Sequence, residues 1–319
     1  MIRTAVGIDI GGTNTKIGIV DKSGHCYAHT SIVTPTSGKI EDFIKNMSLE
    51  IENLKTQLSP NIQLVGIGIG APNANYYKGT IEHAPNLAWK GVIEFAEMFK
   101  KYYKLPIFLT NDANAAAIGE MVYGGAKGMN DFIVITLGTG LGSGLVANGK
   151  LIYGHDGFAG ELGHTTVDPY GRHCACGKRG CLETYVSATG IKRTIYKLIA
   201  DFTEPSLLKD ISFNQLSPKT ITDAAQAGDK IALEAFEQTG QILGLKLADT
   251  VAYTSPQAIF LFGGLAQSGD FLLTPTKYHM EKNLMAIFKN KVKILLSELS
   301  GANAAIMGAS ALVWNELGE

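Results

Sequence analysis

Charge is scarce in this chain: 18% of its 319 residues are Asp, Glu, Lys or Arg, and the formal net charge is −1. No basic face is available to neutralise a phosphate backbone and no acidic tail to keep a segment solvated, which excludes nucleic acid and anionic membrane as partners. Long hydrophobic runs are missing as well. No stretch approaches the ~20 apolar residues of a membrane span, and the apolar run of the opening MIRTAVGIDIGG is short and broken by Asp9, unlike a secretory signal. Cysteine is limited to four residues, and a chain of this length has no need of disulfide support. With no export signal, thiols point to the reducing cytosol.

Three of those four cysteines fall in one turn-rich segment, ELGHTTVDPYGRHCACGKRGCLE, from Glu161 to Glu183. Cys174, Cys176 and Cys181 have the spacing C-x-C-x4-C, with Gly177 and Gly180 letting the backbone fold around a small sphere. His164 can complete a closed Cys3His tetrahedron of the kind that holds structural zinc. His173 is the competing nitrogen, but as the neighbour of Cys174 it has less freedom to reach around an ion. Three unrelated surface thiols would leave the clustering unexplained. The fourth, Cys26, lies in a strand-like stretch and reads as a buried small hydrophobe.

Alternating signals of strand and helix run along the first half and favour an α/β sheet. Thr4 to Ile10 and Thr15 to Val20 read as strands joined through Gly11-Gly12. From Ile40 to Leu58, Phe43, Ile44, Met47, Ile51 and Leu54 recur at helical spacing. A strand at Leu64 to Ile69, a loop GAPNANYYKG, a helix near Val92 to Tyr103 and a strand at Ile107 to Thr110 follow. The second half begins again in the same way. IDIGGTNTKIGIV at Ile8 and ITLGTGLGSGLV at Ile135 both read strand, glycine turn, strand, as a duplicated unit would. Strand signals run from Asp131 to Leu137 and at Leu145 to Ala147. A long helix from Asp229 to about Tyr253, strands at Ala258 to Phe262 and Val292 to Leu296, and a last helix after Gly301 complete the pattern. The chain's end is expected to pack back on the first domain.

DIGGT places Asp9 at a strand end, followed by Gly11, Gly12 and Thr13. Glycines let backbone N–H groups approach a phosphate, the threonine can donate to it, and the aspartate can hold a hydrated Mg2+. Gly138-Thr139-Gly140 repeats that chemistry without the acid, so two facing turns can grip one polyphosphate. Gly263-Gly264 ends a strand where an adenosine can lie. Neither turn fits GxxxxGK[ST], Lys16 lies inside the second strand, and GTGLG lacks the spacing of a dinucleotide fingerprint.

Asn111-Asp112 follows a strand and precedes the alanine-rich helix Ala113 to Met121. Asp112 can cap that helix, or serve as a general base at the carboxyl edge of the sheet, orienting a hydroxyl for phosphoryl transfer. Glu161 and Glu183 are either solvated surface charges or acceptors for the vicinal hydroxyls of a sugar. The sugar reading gives the metal a purpose, because it fixes both ends of the loop before the ligand arrives.

These motifs resemble the ROK family of bacterial sugar kinases and repressors, within the hexokinase, actin and heat-shock ATPase superfamily. The resemblance covers essentially the whole chain. DIGGT is shared across the superfamily, whereas E-x-G-H at Glu161 to His164 with G-x-x-C-x-C-G-x-x-G-C-x-E at Gly171 to Glu183 is far more specific. The resemblance implies two related actin-like (ribonuclease H-like) α/β domains around a central cleft, with a zinc-stapled loop at 161–183. Residues 1–115 form the first domain, completed by a C-terminal helix of about 303–319, and 116–302 form the second. It also implies Asp112 as catalytic base, sugar hydroxyls on Asn111, Glu161, His164 and Glu183, and zinc on His164, Cys174, Cys176 and Cys181. The segment APNANYYKGTIEHAPNLAWKG is similar to that of the family's glucokinases and implies that Asn73 and Asn86 face the hexose. ATP, Mg2+ and structural Zn2+ are the expected cofactors and a homodimer the expected assembly.

The expected reaction is phosphorylation of glucose, with N-acetylglucosamine, N-acetylmannosamine, fructose and allose as the family's other substrates. The family's repressors carry an N-terminal winged helix. Here the first strand begins at about Thr4 with no basic patch, so a regulator is the weaker expectation. A sugar sensor would leave Asp112 idle.

Overall fold

The computed structural model describes residues 1–299 and 303–318. The first half is built on a five-stranded mixed sheet. Strand β1 (Ile2–Ile10) turns at the glycine pair into β2 (Asn14–Asp21), which turns again into β3 (Cys26–Val33); helix α1 (Ile40–Lys55) then crosses to β4 (Ile62–Gly70). An insert of three short strands, β5 (Ala74–Asn75), β6 (Thr80–Glu82) and β7 (Val92–Ile93), forms its own small sheet. Helix α2 (Phe95–Lys100), strand β8 (Ile107–Thr110) and helix α3 (Asp112–Val122) complete the half.

The second half repeats the plan. Strands β9 (Phe132–Leu137), β10 (Leu141–Ala147) and β11 (Lys150–Leu151) lead through the metal-type loop to helices α4 (Ala188–Asp201), α5 (Pro218–Gln226) and α6 (Lys230–Thr254). Strand β12 (Ala258–Phe262), helix α7 (Asp270–Asn283), strand β13 (Lys293–Leu296) and helix α8 (Ala304–Glu316) follow. The sheet orders are β3-β2-β1-β4-β8 and β11-β10-β9-β12-β13. In each, the first three strands pair antiparallel and the last two add parallel. The repeat anticipated from the two glycine turns is therefore a repeat of whole-sheet topology.

Burial explains why these segments adopt these elements. Phe43, Ile44, Met47, Ile51 and Leu54 form the buried face of α1 against the first sheet. A separate core joins β9 and β12 to α4, α5, α6 and α7, through Ile133, Ile135, Ile195, Phe236, Leu243 and Ile259 among others. Helices α3 and α8 pack on each other at the centre, with α3 against β9 and β10 and α8 against β1 and β4. Gly7 and Gly68 permit that seating, since a Cβ on either would overlap the carbonyl of Ile306 or Ala309 in α8. Helix α8 thus lies on the first sheet.

Some expectations need correction. Val92 and Ile93 pair with Glu82 and Ile81 as a strand, so the helix begins only at Phe95. Two β-branched residues beside a partner strand outweigh the helical spacing. Strand β10 begins at Leu141, directly after the turn, rather than at Leu145. Cys26 is in a strand but only half-buried. The expected boundary at 302 and chain end at 319 lie outside the described residues.

Candidate active site

Strand β8 delivers Asn111-Asp112 to the start of α3, and the capping question resolves onto Asn111. Its Oδ1 accepts from the backbone N–H groups of Ala113 (2.8 Å) and Asn114 (3.3 Å), which are otherwise unmatched at a helix start. Asp112, the first helical residue, accepts from Ala113 N at 2.9 Å through Oδ1 and remains accessible. Protein packed around it desolvates the carboxylate and pushes its pKa above the ordinary value.

Asp9 stands close by. A side chain at Gly70 would meet Asp112 Cα at 3.6 Å and Asp9 Oδ1 at 4.0 Å, which places both acids beside the end of β4. The pKa of Asp9 rises from 3.8 to about 6, chiefly through burial and secondarily through the Asp112 charge, with Lys16 opposing. Lys16 is directly opposite Asp9 in the β1–β2 ladder, on the same face. Two acids and a lysine converge here beside the first glycine turn.

The second glycine turn is tied to the metal-type loop. Glu183 Oε2 accepts from Leu141 N at 3.0 Å, and its Oε1 lies 3.9 Å from Cys174 Sγ. Glu161 Oε2 is 3.9 Å from His164 Nε2, and its pKa is raised by burial, with His164 opposing and the Asp112 and Glu183 charges adding to the rise. Gly263 packs on the other side of this turn, and Leu265 N donates to Leu137 O at 3.1 Å. Gly138, Gly140 and Gly263 are thereby brought together, with Thr139 in the same turn and Gly264 next along the chain.

The ligand atoms of His164, Cys174, Cys176 and Cys181 lie within 4.8 Å of one another. Cys174 Sγ is 3.6 Å from His164 Nδ1, and Cys176 Sγ is 3.6 Å from Cys181 Sγ. Tetrahedral zinc with bonds near 2.3 Å separates its ligand atoms by about 3.7 Å, so this donor set fits one such ion. His173 is turned outward, with Nε2 2.7 Å from an Arg179 nitrogen, and stands outside the group.

Asn86 packs against Gly12 of the first glycine turn, while Asn73, at φ 51°, directs Nδ2 to His83 O at 3.4 Å within the insert. No described contact joins Asn73 to the acids. Sequence reading also missed Arg172. Its guanidinium donates to Thr184 O (2.7 Å), Gly190 O (3.0 Å) and Thr194 Oγ1 (2.9 Å) and stacks 4.4 Å over the Tyr185 ring. Burial and the nearby Arg193 lower its pKa to about 10. It fastens the loop to α4 independently of any metal. Only its position inside the cysteine motif could have singled it out.

The ROK family model matches residues 5–316. The chain is 35% identical over 315 residues to a glucokinase of Halalkalibacterium halodurans, spanning 98% of this chain and 95% of that one. It is 31% identical over 316 residues to the xylose repressor of Bacillus subtilis, spanning 97% of this chain and 76% of that one. Among solved structures it resembles a ROK family glucokinase from Streptomyces griseus in complex with glucose and AMPPNP, at a TM-score of 0.81 and 31% identity over 97% and 98% of the two chains. With paired sheets of one topology, the acid and glycine turns at their strand ends and a match along nearly its whole length, this chain belongs to the ROK family.

Proposed function

We propose that the protein is a hexose kinase that transfers the γ-phosphoryl group of ATP to glucose, with Asp112 as general base. The observation that carries this reading is the place of Asp112, accessible at the start of α3 and beside Asp9 with its glycine turn at the end of β4. A raised pKa makes a carboxylate a better proton acceptor near neutral pH. As the 6-hydroxyl oxygen bonds to the γ-phosphorus and the β–γ bridging bond breaks, the hydroxyl proton passes to Asp112 and ADP leaves. Glu161, His164, Glu183, Asn111, Asn73 and Asn86 hold the sugar, and the turns at Gly11-Gly12-Thr13 and Gly138-Thr139-Gly140 present N–H groups to the phosphates, with Gly263-Gly264 beneath the adenosine. Asp9 would hold Mg2+, which offsets phosphate charge when bound. His164, Cys174, Cys176 and Cys181 would hold structural zinc, which fixes the loop.

The two sheets with their helices would form the walls of a cleft, one built on β1 to β8 with α8 and the other on β9 to β13, with α3 between them. Closure on the sugar excludes the water that would otherwise accept the phosphoryl group. Glucose is favoured by the glucokinase relatives, while N-acetylhexosamines and fructose are the alternatives, since the acid and the loop contact features all hexoses share. The xylose repressor relative supports a second reading, a sugar-responsive regulator without turnover. ADP release from ATP with a panel of hexoses, for wild type and Asp112→Asn, separates them. Turnover abolished by Asp112→Asn supports the kinase; saturable sugar binding with no turnover supports the regulator.

A further inference from the structure

Two adjacent tyrosines, Tyr76 and Tyr77, meet a third from a distant part of the sequence, Tyr153, where the insert of the first sheet faces the end of the second sheet. Tyr76 lies face to face with Tyr153, ring centroids 4.0 Å apart and planes 9° from parallel, and Tyr77 closes on Tyr153 at 5.9 Å. The Tyr76 hydroxyl donates to Glu316 Oε2 at 2.6 Å, which fixes that ring to α8. One residue earlier, the fully buried Asn75 donates from Nδ2 to Asp156 O at 2.8 Å. Its own Oδ1 accepts from Tyr77 N and Lys78 N, so the amide is oriented from both ends. Gly157 packs against the same amide so closely that a Cβ would meet Asn75 Oδ1 at 2.7 Å. The Tyr153 hydroxyl is buried against that of Thr110, the residue before Asn111-Asp112.

The segment joined to the insert in this way is the one that leads from β11 to Glu161. Tyr153 O accepts from Ala159 N at 3.0 Å, and Gly160 O accepts from Ser143 Oγ and from Leu162 N, so little slack separates the stack from the carboxylate. A stacked pair of rings, one of them held by a charge-assisted hydrogen bond, is a specific contact. The geometry points to Tyr76 and Tyr153 as positioning residues: their stack clasps the 153–161 segment to the first half of the molecule and sets where Glu161 stands relative to Asp112. They act through Glu161. This role rests on the reading of Glu161 as a sugar ligand of a kinase.

Tyr76→Ala, Tyr153→Ala, their double variant and Tyr153→Phe, in the full-length protein, test the clasp. Glucose affinity is measured by calorimetry, the KM values for glucose and ATP by ADP release, and hydrogen exchange of the 153–161 amides without ligand. Tyr76→Ala is expected to weaken glucose binding about tenfold, leave the KM for ATP within twofold and speed exchange across 153–161. The double variant should be no worse than the single ones, and Tyr153→Phe, which keeps the stack, should match wild type and show that the site tolerates substitution. Unchanged exchange in Tyr76→Ala overturns the clasp, as does faster exchange with unchanged glucose affinity, or a Tyr153→Phe as damaged as Tyr153→Ala. If wild type phosphorylates no sugar, the kinase reading fails separately, and exchange with glucose affinity still decides the clasp.

Discussion

Asp9 and Asp112 are two carboxylates whose surroundings disfavour their charge, which costs stability when they are ionised. The rise of Asp9 from 3.8 to about 6 corresponds to about 3 kcal/mol. Its folded-state pKa is above the unfolded one, so the folded protein binds the extra proton; the cost is present above about pH 6 and disappears as pH falls toward 4. Asp9→Asn should therefore raise the melting temperature at pH 7.5 but hardly at pH 4, while removing kinase activity; equal effects at both values would show that the charge is not the cause. Asp112→Asn is expected to lower kcat about 10³-fold with glucose affinity retained, measured by ADP release and calorimetry. The same raised pKa predicts that kcat falls on acidification as Asp112 takes up its proton, and Asp112→Asn should lack that acid limb. Asp112 was legible because a carboxylate at a strand-to-helix junction is a marked position in sequence. That Asn111 supplies the cap was not, since both residues are good caps and only the backbone geometry selects between them.

At the scale of elements, the loop between Glu161 and Glu183 has two independent fastenings. One is the Arg172 guanidinium with its bonds to α4 and the turn before it, and the other is the Cys3His group once a metal fills it. Cys176→Ser should lower bound zinc and glucose affinity together, read by elemental analysis and calorimetry; full affinity in a zinc-free protein would remove the metal's structural role. Arg172→Lys loses the planar fork and its stacking on Tyr185, and a cost of about 2 kcal/mol is expected from charged hydrogen bonds of this kind. A lower melting temperature with zinc content unchanged is the signature to look for. The cysteines announce their loop by type and spacing. Arg172 does not, because an arginine's role depends on which carbonyls surround it. Helix α7 shows the same limit: Pro275 inside it obscures the helical pattern, and only the fold reveals that it seats against Gly240 of α6. The insert strands β5, β6 and β7 are too short to carry any period and exist through pairing with one another.

For the whole molecule, two sheets of one topology with α3 and α8 between them fit a body that closes by rotating one half against the other. Small-angle scattering should show a smaller radius of gyration with glucose bound, and an unchanged radius would exclude closure of that kind. Turnover on more than one hexose is expected across a panel, because a pocket distinguishes one added group by only about 1 to 3 kcal/mol. The sequence by itself determined the repeated strand, glycine turn, strand unit, the amphipathic face of α1, the metal-type quartet and the acid at the end of β8. Each of these is written in residue type and short spacing, where local conformation and donor chemistry are decided. Tertiary structure alone decided the rest: that Asp9 and Asp112 share one desolvated corner, that Glu183 holds the second glycine turn, and that Tyr76 meets Tyr153. Burial, charge coupling and ring stacking depend on which distant segments become neighbours, and chain order does not carry that information.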